Sequence, residues 1–238
     1  MKLLAIIPAR GGSKRIPGKN RRLFCGHPIL TYSIRAAVEA GIFDEIICST
    51  DDLEIAKLAE SAGARIPFLR SPETSNDMAG LEDVFLEVLN EYSKRGKTFQ
   101  FFCGIMATAP FLTAFRLRDS FEKMVAQKAD LLVPVVRFSY PIQRALFKNK
   151  NNRLEMFQPQ YRDSRSQDLE PAYHDAGQFY WNETKSFLKD FKRNFKDAVP
   201  YELPESEVQD IDTEEDWKMA EIKYRLIHGA ESLHNGKV

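Results

Sequence analysis

The sequence has little of what marks several common protein classes. It holds only three cysteines, Cys25, Cys48 and Cys103, each set apart from the others. That spacing offers neither a disulfide framework nor a cysteine metal site, and it points to a reducing, cytoplasmic setting. His27, His228 and His234 show no metal-ligand spacing. The first apolar run, Leu3–Pro8, is too short for a signal peptide or a membrane span, so neither secretion nor a membrane is expected. No G-x-S-x-G is present, which removes support for a hydrolase triad. Lys and Arg number 34, as do Asp and Glu, and a chain without net charge lacks the basic surplus of a nucleic-acid binder.

The neutral total hides two poles. Between Met1 and Val38 there are eight Lys or Arg and no acid. Between Glu202 and Asp216, ELPESEVQDIDTEED, there are eight acids and no Lys or Arg. Most charge runs are simply solvated surface. Here the basic pole interrupts a strand-loop-helix unit and the acidic pole surrounds a short apolar alternation. Cations for phosphate and carboxylates for a metal would be distributed in this way.

Apolar runs alternate with helical patterns. Strands are expected at Leu3–Pro8, Glu45–Ser49, Arg65–Phe68, Phe99–Ile105, Asp130–Arg137, Gly177–Trp181 and Ala198–Leu203. Amphipathic helices are expected at Pro28–Ala40, Leu53–Ala62, Leu81–Lys94, Ala114–Gln127 and from Trp217 to His228. Continuous apolar strands with helices between them imply an α/β fold with a mostly parallel, Rossmann-like sheet covered on both faces. The whole chain, 1–238, reads as one domain. A polar stretch near 138–175 breaks the rhythm and reads as an inserted lid or subunit-pairing segment, and 229–238 reads as a frayed tail.

The stretch PARGGSKRIPGKN (Pro8–Asn20) follows the first strand, where α/β sheets bind ligands. Gly11 and Gly12 let backbone N–H groups approach an oxyanion, Ser13 adds a hydroxyl, and Arg10, Lys14 and Lys19 add charge. It is no P-loop: Ser13 stands where the first glycine belongs and Asn20 where Ser or Thr belongs. A Gly-rich surface turn would explain the glycines but not the missing acids, so an unconventional phosphate loop is the better reading. Near the other end, Asp210 and Asp212 lie two apart and point the same way if the segment is extended, with Ile211 turned inward. Two hard oxygen donors beside phosphates suit Mg²⁺. The competing role is capping, with Asp212 or Thr213 at the start of the last helix.

These stretches, with Ser49-Thr50-Asp51-Asp52 after the second strand, resemble the CMP-sialic acid synthetase (acylneuraminate cytidylyltransferase) family over nearly the whole chain. RSQDLEPAYHDAGQFYW (Arg165–Trp181) and PIQRA (Pro141–Ala145) are most similar to its pseudaminic acid branch. That branch activates a nine-carbon acidic sugar for bacterial surface proteins such as flagellin. The resemblance implies a Mg²⁺-dependent nucleotidyltransferase that joins CTP to the sugar and releases pyrophosphate. It also implies a homodimer in which the inserted segment reaches the partner's site.

Residue by residue, the resemblance places Pro8, Ala9, Arg10, Gly11, Ser13, Lys14, Lys19 and Asn20 on the nucleotide, with Arg70 and Ala79 beside it. Asp210 and Asp212 match the metal pair. Arg10, Lys14 and Lys19 would stabilise the leaving pyrophosphate. The sugar carboxylate calls for a bidentate guanidinium, with Arg165 or Arg144 as candidates. Gln143, Gln167, His174, Gln178 and Tyr180 are candidates for the remaining sugar contacts. The base is left open among Asp210, Asp212, a metal-bound hydroxide and His174. Met106 replaces a family glutamine, and a thioether lacks the hydrogen bonds of an amide. That favours a deoxygenated sugar over N-acetylneuraminate. Synthetases for N-acetylneuraminate, legionaminate or 3-deoxy-manno-octulosonate are the alternatives within the class. A glycosyltransferase and a non-catalytic nucleotide-binding subunit are those outside it.

Overall fold

The computed structural model describes residues 1–192 and 195–229. In chain order the strands and helices begin with β1 (Leu3–Pro8), β2 (Leu23–Phe24), β3 (His27–Pro28), α1 (Ile29–Ala40), β4 (Glu45–Ser49) and α2 (Leu53–Ser61). Next come α3 (Pro72–Ser75), α4 (Leu81–Lys94), β5 (Phe101–Ile105), α5 (Ala114–Ala126) and β6 (Leu131–Arg137). The remainder is β7 (Leu146–Lys148), β8 (Leu154–Met156), β9 (Tyr173–Asp175), β10 (Phe179–Glu183), α6 (Thr184–Lys189), β11 (Val199–Glu202) and α7 (Glu214–His228). Among the described residues, no helix is long and apolar enough to cross a membrane.

The main sheet runs β11-β6-β10-β5-β1-β4. Strands β4, β1 and β5 pair in parallel, as do β6 and β11. β10 lies antiparallel between β5 and β6, and β9 takes the rest of the β6 edge beyond it, also antiparallel. The five parallel strands therefore finish at one edge, and the loops after β1, β4, β5 and β11 all leave from it. That edge is where such sheets bind ligands.

Alternating side chains serve two cores. Leu3, Ala5 and Ile7 of β1 pack toward α1, α2 and α5, while Leu4 and Ile6 pack toward α4 and α6. A third cluster lies over the edge itself. Ile16 of the basic loop, Phe24, Ile29 and Phe111 pack with Ile211, Trp217 and Ala220. It binds the first residues of the chain to the last helix.

The expected strand Arg65–Phe68 is not formed. Arg65 makes one parallel bridge to Ile47 and the pairing then stops, because Pro67 has no N–H to continue the ladder. The other expected elements appear within a few residues of their predicted ends. Segment 138–175 holds the β7–β8 hairpin and short 3₁₀ turns, and returns to the main sheet at β9. Of the tail expected to fray, residues 230–238 lie outside the described residues.

Candidate active site

The basic loop is built against the ends of β1 and β4. Ala9 N–H donates to the Ser49 carbonyl at 2.9 Å, and Gly11 N–H donates to Asp51 Oδ1 at 2.9 Å. A Cβ on Gly11 would lie 2.9 Å from Asp52 Oδ2, so the close approach requires glycine. Ser13 N–H turns back to the Gly11 carbonyl, and Gly18 takes φ +64° before the turn at Lys19–Arg21. Buried Asn20 donates Nδ2 to the Arg10 carbonyl at 3.0 Å and so ties the two ends of the loop together.

Two sets of acids receive the loop's cations. On one side, Arg10 Nη1 sits 2.9 Å from Asp77 Oδ1 and bonds the Asn76 carbonyl at 3.1 Å, while Lys14 pairs with the second Asp77 oxygen. The hydrogen bond from Lys14, followed by charge and bonding from both cations, keeps the Asp77 carboxyl below its ordinary range. On the other side, Arg15 Nη1 meets Asp212 Oδ2 at 2.6 Å. Lys19 Nζ donates to the Ile211 carbonyl at 2.7 Å and lies 3.6 Å from Asp212 Oδ1. The basic and acidic poles of the sequence therefore meet.

The acidic segment is fixed from several directions. Ile211 is 1% exposed and anchors it to the third core. Thr213 caps α7 in a reciprocal box with Asp216, which also accepts from Asp212 N–H at 3.1 Å. Thr213 rather than Asp212 is the cap, which leaves the Asp212 carboxylate to the basic loop. Arg22 lies over the Trp217 ring at 4.4 Å and pairs with Glu214 at 2.5 Å. Upstream, Arg116 grips Glu207 through two bonds of 2.8 and 2.9 Å, and the Glu207 carbonyl accepts from Gln178 Nε2 at 2.5 Å. Lys223 Nζ donates to the Val208 carbonyl at 2.9 Å.

The Asp210 side chain reaches solvent, yet surrounding protein and then the charge of Asp212 raise its pKa, with Lys19 opposing them. Two carboxylates that repel each other in this way suit a divalent cation, which would relieve the repulsion. Among the described residues no group of three or more His, Cys, Asp or Glu could hold a metal, so a cation held by Asp210 and Asp212 would need further oxygen ligands from phosphate and water.

Arg70 is buried and spends Nε on Ser49 Oγ at 3.0 Å and Nη2 on the Ser49 carbonyl at 2.5 Å. Burial lowers its pKa, and Asp51 is the chief opposing charge. It braces the end of β4 under the basic loop. Ala79 N–H bonds Asn76 Oδ1 at 3.1 Å, on the same turn as Asp77. Met106 is partly buried, and its N–H donates to the Gln178 carbonyl at 2.8 Å.

Tyr180 O–H donates to Asp175 Oδ2 at 2.7 Å. Its pKa is raised first by burial, then by Asp175, and further by the charges of Asp210 and Glu82. Tyr180 and Asp175 line a cavity of about 240 Å³ whose other walls include Leu81, Phe85, Leu131 and Phe187.

The candidates in the inserted segment are engaged locally. Arg165 pairs with Asp168 at 2.7 Å, Arg144 reaches Ser166 at 3.3 Å, and Gln143 Nε2 bonds the Glu170 carbonyl at 2.9 Å. Gln167 lines a separate groove with Phe138, Tyr140 and Glu205. His174 Nδ1 is 2.9 Å from the Asp175 carbonyl, and its ring packs on Phe138. These contacts do not join them to the basic loop.

Comparison with known proteins decides the class. A family model described as cytidylyltransferase matches residues 4–220. The chain belongs to the cytidylyltransferase family. It is 42% identical to the pseudaminic acid cytidylyltransferase of Campylobacter jejuni, over 96% of this chain and 98% of that one. It is 31% identical to the CMP-N,N'-diacetyllegionaminic acid synthase of Legionella pneumophila, over 93% of this chain and 95% of that one. A CMP:2-keto-3-deoxy-manno-octonic acid synthetase solved with CTP superposes with a TM-score of 0.69 at 14% identity. That superposition covers 96% of this chain and 99% of the other, and at such identity it shows the shared fold.

For a cytidylyltransferase, the acid that sequence reasoning missed is Asp77, which pairs with Arg10 and Lys14 of the basic loop. Asp51, within the Ser49–Asp52 stretch already singled out, instead accepts from the Gly11 N–H. Asp77 carries no local signal within SPETSND.

Proposed function

We propose that this cytidylyltransferase couples CTP to a nonulosonic acid, with pseudaminic acid the favoured substrate, giving the CMP-sugar and pyrophosphate. The observation that carries the reading is the convergence of Arg15 and Lys19 on the Ile211–Asp212 segment. It supports the reading by bringing cations of the basic loop against a carboxylate proposed to hold the metal. The choice of sugar rests on the Campylobacter relative. The cavity beside Tyr180, whose apolar walls are interrupted by Glu82, Asp175 and Asn182, and separately the thioether of Met106 suit a sugar with few hydroxyls.

In this mechanism Arg10, Lys14 and Lys19 orient the triphosphate and neutralise the departing pyrophosphate. The sugar's anomeric hydroxyl, yielding its proton to Asp210, Asp212, His174 or a water-derived base, attacks the α-phosphorus in line as the bond to the β-phosphate oxygen breaks and pyrophosphate leaves. Asp210 and Asp212 would hold Mg²⁺, which when bound supplies positive charge at the phosphates. Asn20 and Arg70 keep the loop and the end of β4 in register with that chemistry.

A homodimer is part of the proposal. Phe138, Tyr140, Ile142, Leu146, Leu154 and Phe157 are exposed on the inserted segment, more apolar surface than a solvated loop needs. A second copy of the chain is the proposed cover, with Arg144 and Arg165 offered toward the partner's sugar.

Incubating the protein with each nucleoside triphosphate, a panel of nonulosonic acids and Mg²⁺, and following pyrophosphate release, tests the function. Release with CTP and pseudaminic acid, abolished by EDTA, is expected. Release without sugar, or preference for another nonulosonic acid, would overturn the corresponding part.

A further inference from the structure

The cations assigned to the triphosphate already have counter-ions from within the chain. Asp77 takes Arg10 with one oxygen and Lys14 with the other. Its turn holds its shape without that carboxylate. Asn76 Oδ1 accepts from Met78 N–H at 2.8 Å and Ala79 N–H at 3.1 Å. Asn76 Nδ2 donates to the Glu73 carbonyl at 2.6 Å, and Gly80 N–H bonds Asp83 at 2.9 Å. The Asp77 side chain is 45% exposed, so it contributes little packing. A carboxylate placed this way makes contacts with cations that belong to the ligand.

We propose that Asp77 is a removable counter-ion seated where phosphate oxygens bind, so that a nucleotide must displace it and pyrophosphate leaves more readily when it returns. The inference rests on the reading that Arg10 and Lys14 receive the phosphates. Exposed ion pairs are weak, so a polyanion reaching Arg10, Lys14 and Lys19 together can displace one carboxylate. A small anion that reaches only one or two of these cations gains less for the same displacement. Affinity differences of this kind are what select one ligand over another. The same competition opposes retention of the product, since pyrophosphate must hold Arg10 and Lys14 against a carboxylate tethered beside them.

Calorimetric titration of magnesium-free pyrophosphate, CTP and cytidine into the wild-type protein and the Asp77→Asn and Asp77→Ala variants tests the idea. Both variants should bind pyrophosphate about three- to tenfold more tightly than wild type. CTP should gain similarly and cytidine should not change. In turnover assays, pyrophosphate should inhibit the variants at correspondingly lower concentration. Adding Lys14→Ala to Asp77→Asn should remove most of the gain. A damaged loop would weaken binding, so tightening is the signature that a purely structural role cannot produce. If wild type binds pyrophosphate in a Lys19-dependent way but the Asp77 variants bind no more tightly, the counter-ion inference is overturned and the phosphate loop stands. If pyrophosphate binding ignores both Lys14→Ala and Lys19→Ala, the loop assignment and the inference fall together.

Discussion

Lys19 donates its ammonium to the backbone carbonyl of Ile211 at 2.7 Å, joining residues 192 positions apart. Because the acceptor is a main-chain oxygen, this bond positions the Asp210–Asp212 segment whatever the charge on its carboxylates. Lys19 is also within 3.6 Å of Asp212 and only 18% exposed at its side chain. One residue therefore links site geometry with site charge.

Replacing Lys19 by Ala should lower turnover on the order of 10²–10³, by analogy with the loss of a fixed oxyanion donor. Losing its hydrogen bond to the backbone should also cost about 1–2 kcal/mol of stability. Arg15→Ala, whose side chain is 69% exposed, should cost under about 1 kcal/mol. Pyrophosphate release and denaturant melts read the two effects separately.

Asp210→Asn should separate stability from activity. Burial and Asp212 raise the Asp210 pKa in the folded protein. Its contribution to stability is therefore full below the unfolded value of about 3.9 and is lost as pH rises through the folded value. In EDTA at pH 7 the variant should melt higher than wild type, and the difference should shrink as pH falls toward 3. Turnover with Mg²⁺ should fall by about 10²–10³. Equal melting temperatures across that pH range would contradict the assignment of the shift.

Gly104→Ala addresses the cavity beside Tyr180. An added Cβ would lie 2.1 Å from Phe85 Cζ, and Phe85 forms part of the cavity wall. The forced repacking should cost roughly 1–3 kcal/mol, or about 3–10 °C in melting temperature for a chain of this size. KM for the sugar should rise while KM for CTP stays within about twofold, since mainly the uniform binding of one substrate is disturbed.

Sedimentation should give twice the chain mass. Leu154→Asp combined with Phe157→Asp, both exposed on the inserted segment, should give the monomer. A monomeric wild type that retains full turnover would remove the shared-site proposal.

Legibility of the fold followed the range of the forces involved. Leu3–Pro8 and Glu45–Ser49 could be read from apolar runs, because burial on both faces leaves a local signature. The direction of β10 could not be read, since Phe179–Glu183 has the same apolar pattern either way and only its partners orient it. Arg65–Phe68 looked extended and apolar enough for a strand, but pairing also needs donors, and Pro67 ended it. In the candidate site, Asp210 and Asp212 stood out through their spacing around an apolar residue. Asp77 did not, because its meaning lies in the 67 and 63 residues that separate it from Arg10 and Lys14.

The packing of Ile16 against Ile211 and Trp217 has a consequence for how activity is acquired and lost. During synthesis the basic loop emerges well before its acidic counterpart, since Ile211 follows Lys19 by 192 residues. A nascent or truncated polypeptide stopping before Asp210 would carry the proposed phosphate loop without the carboxylates proposed to hold the metal. Clipping within the final helix should therefore silence the enzyme outright instead of leaving a slower version of it.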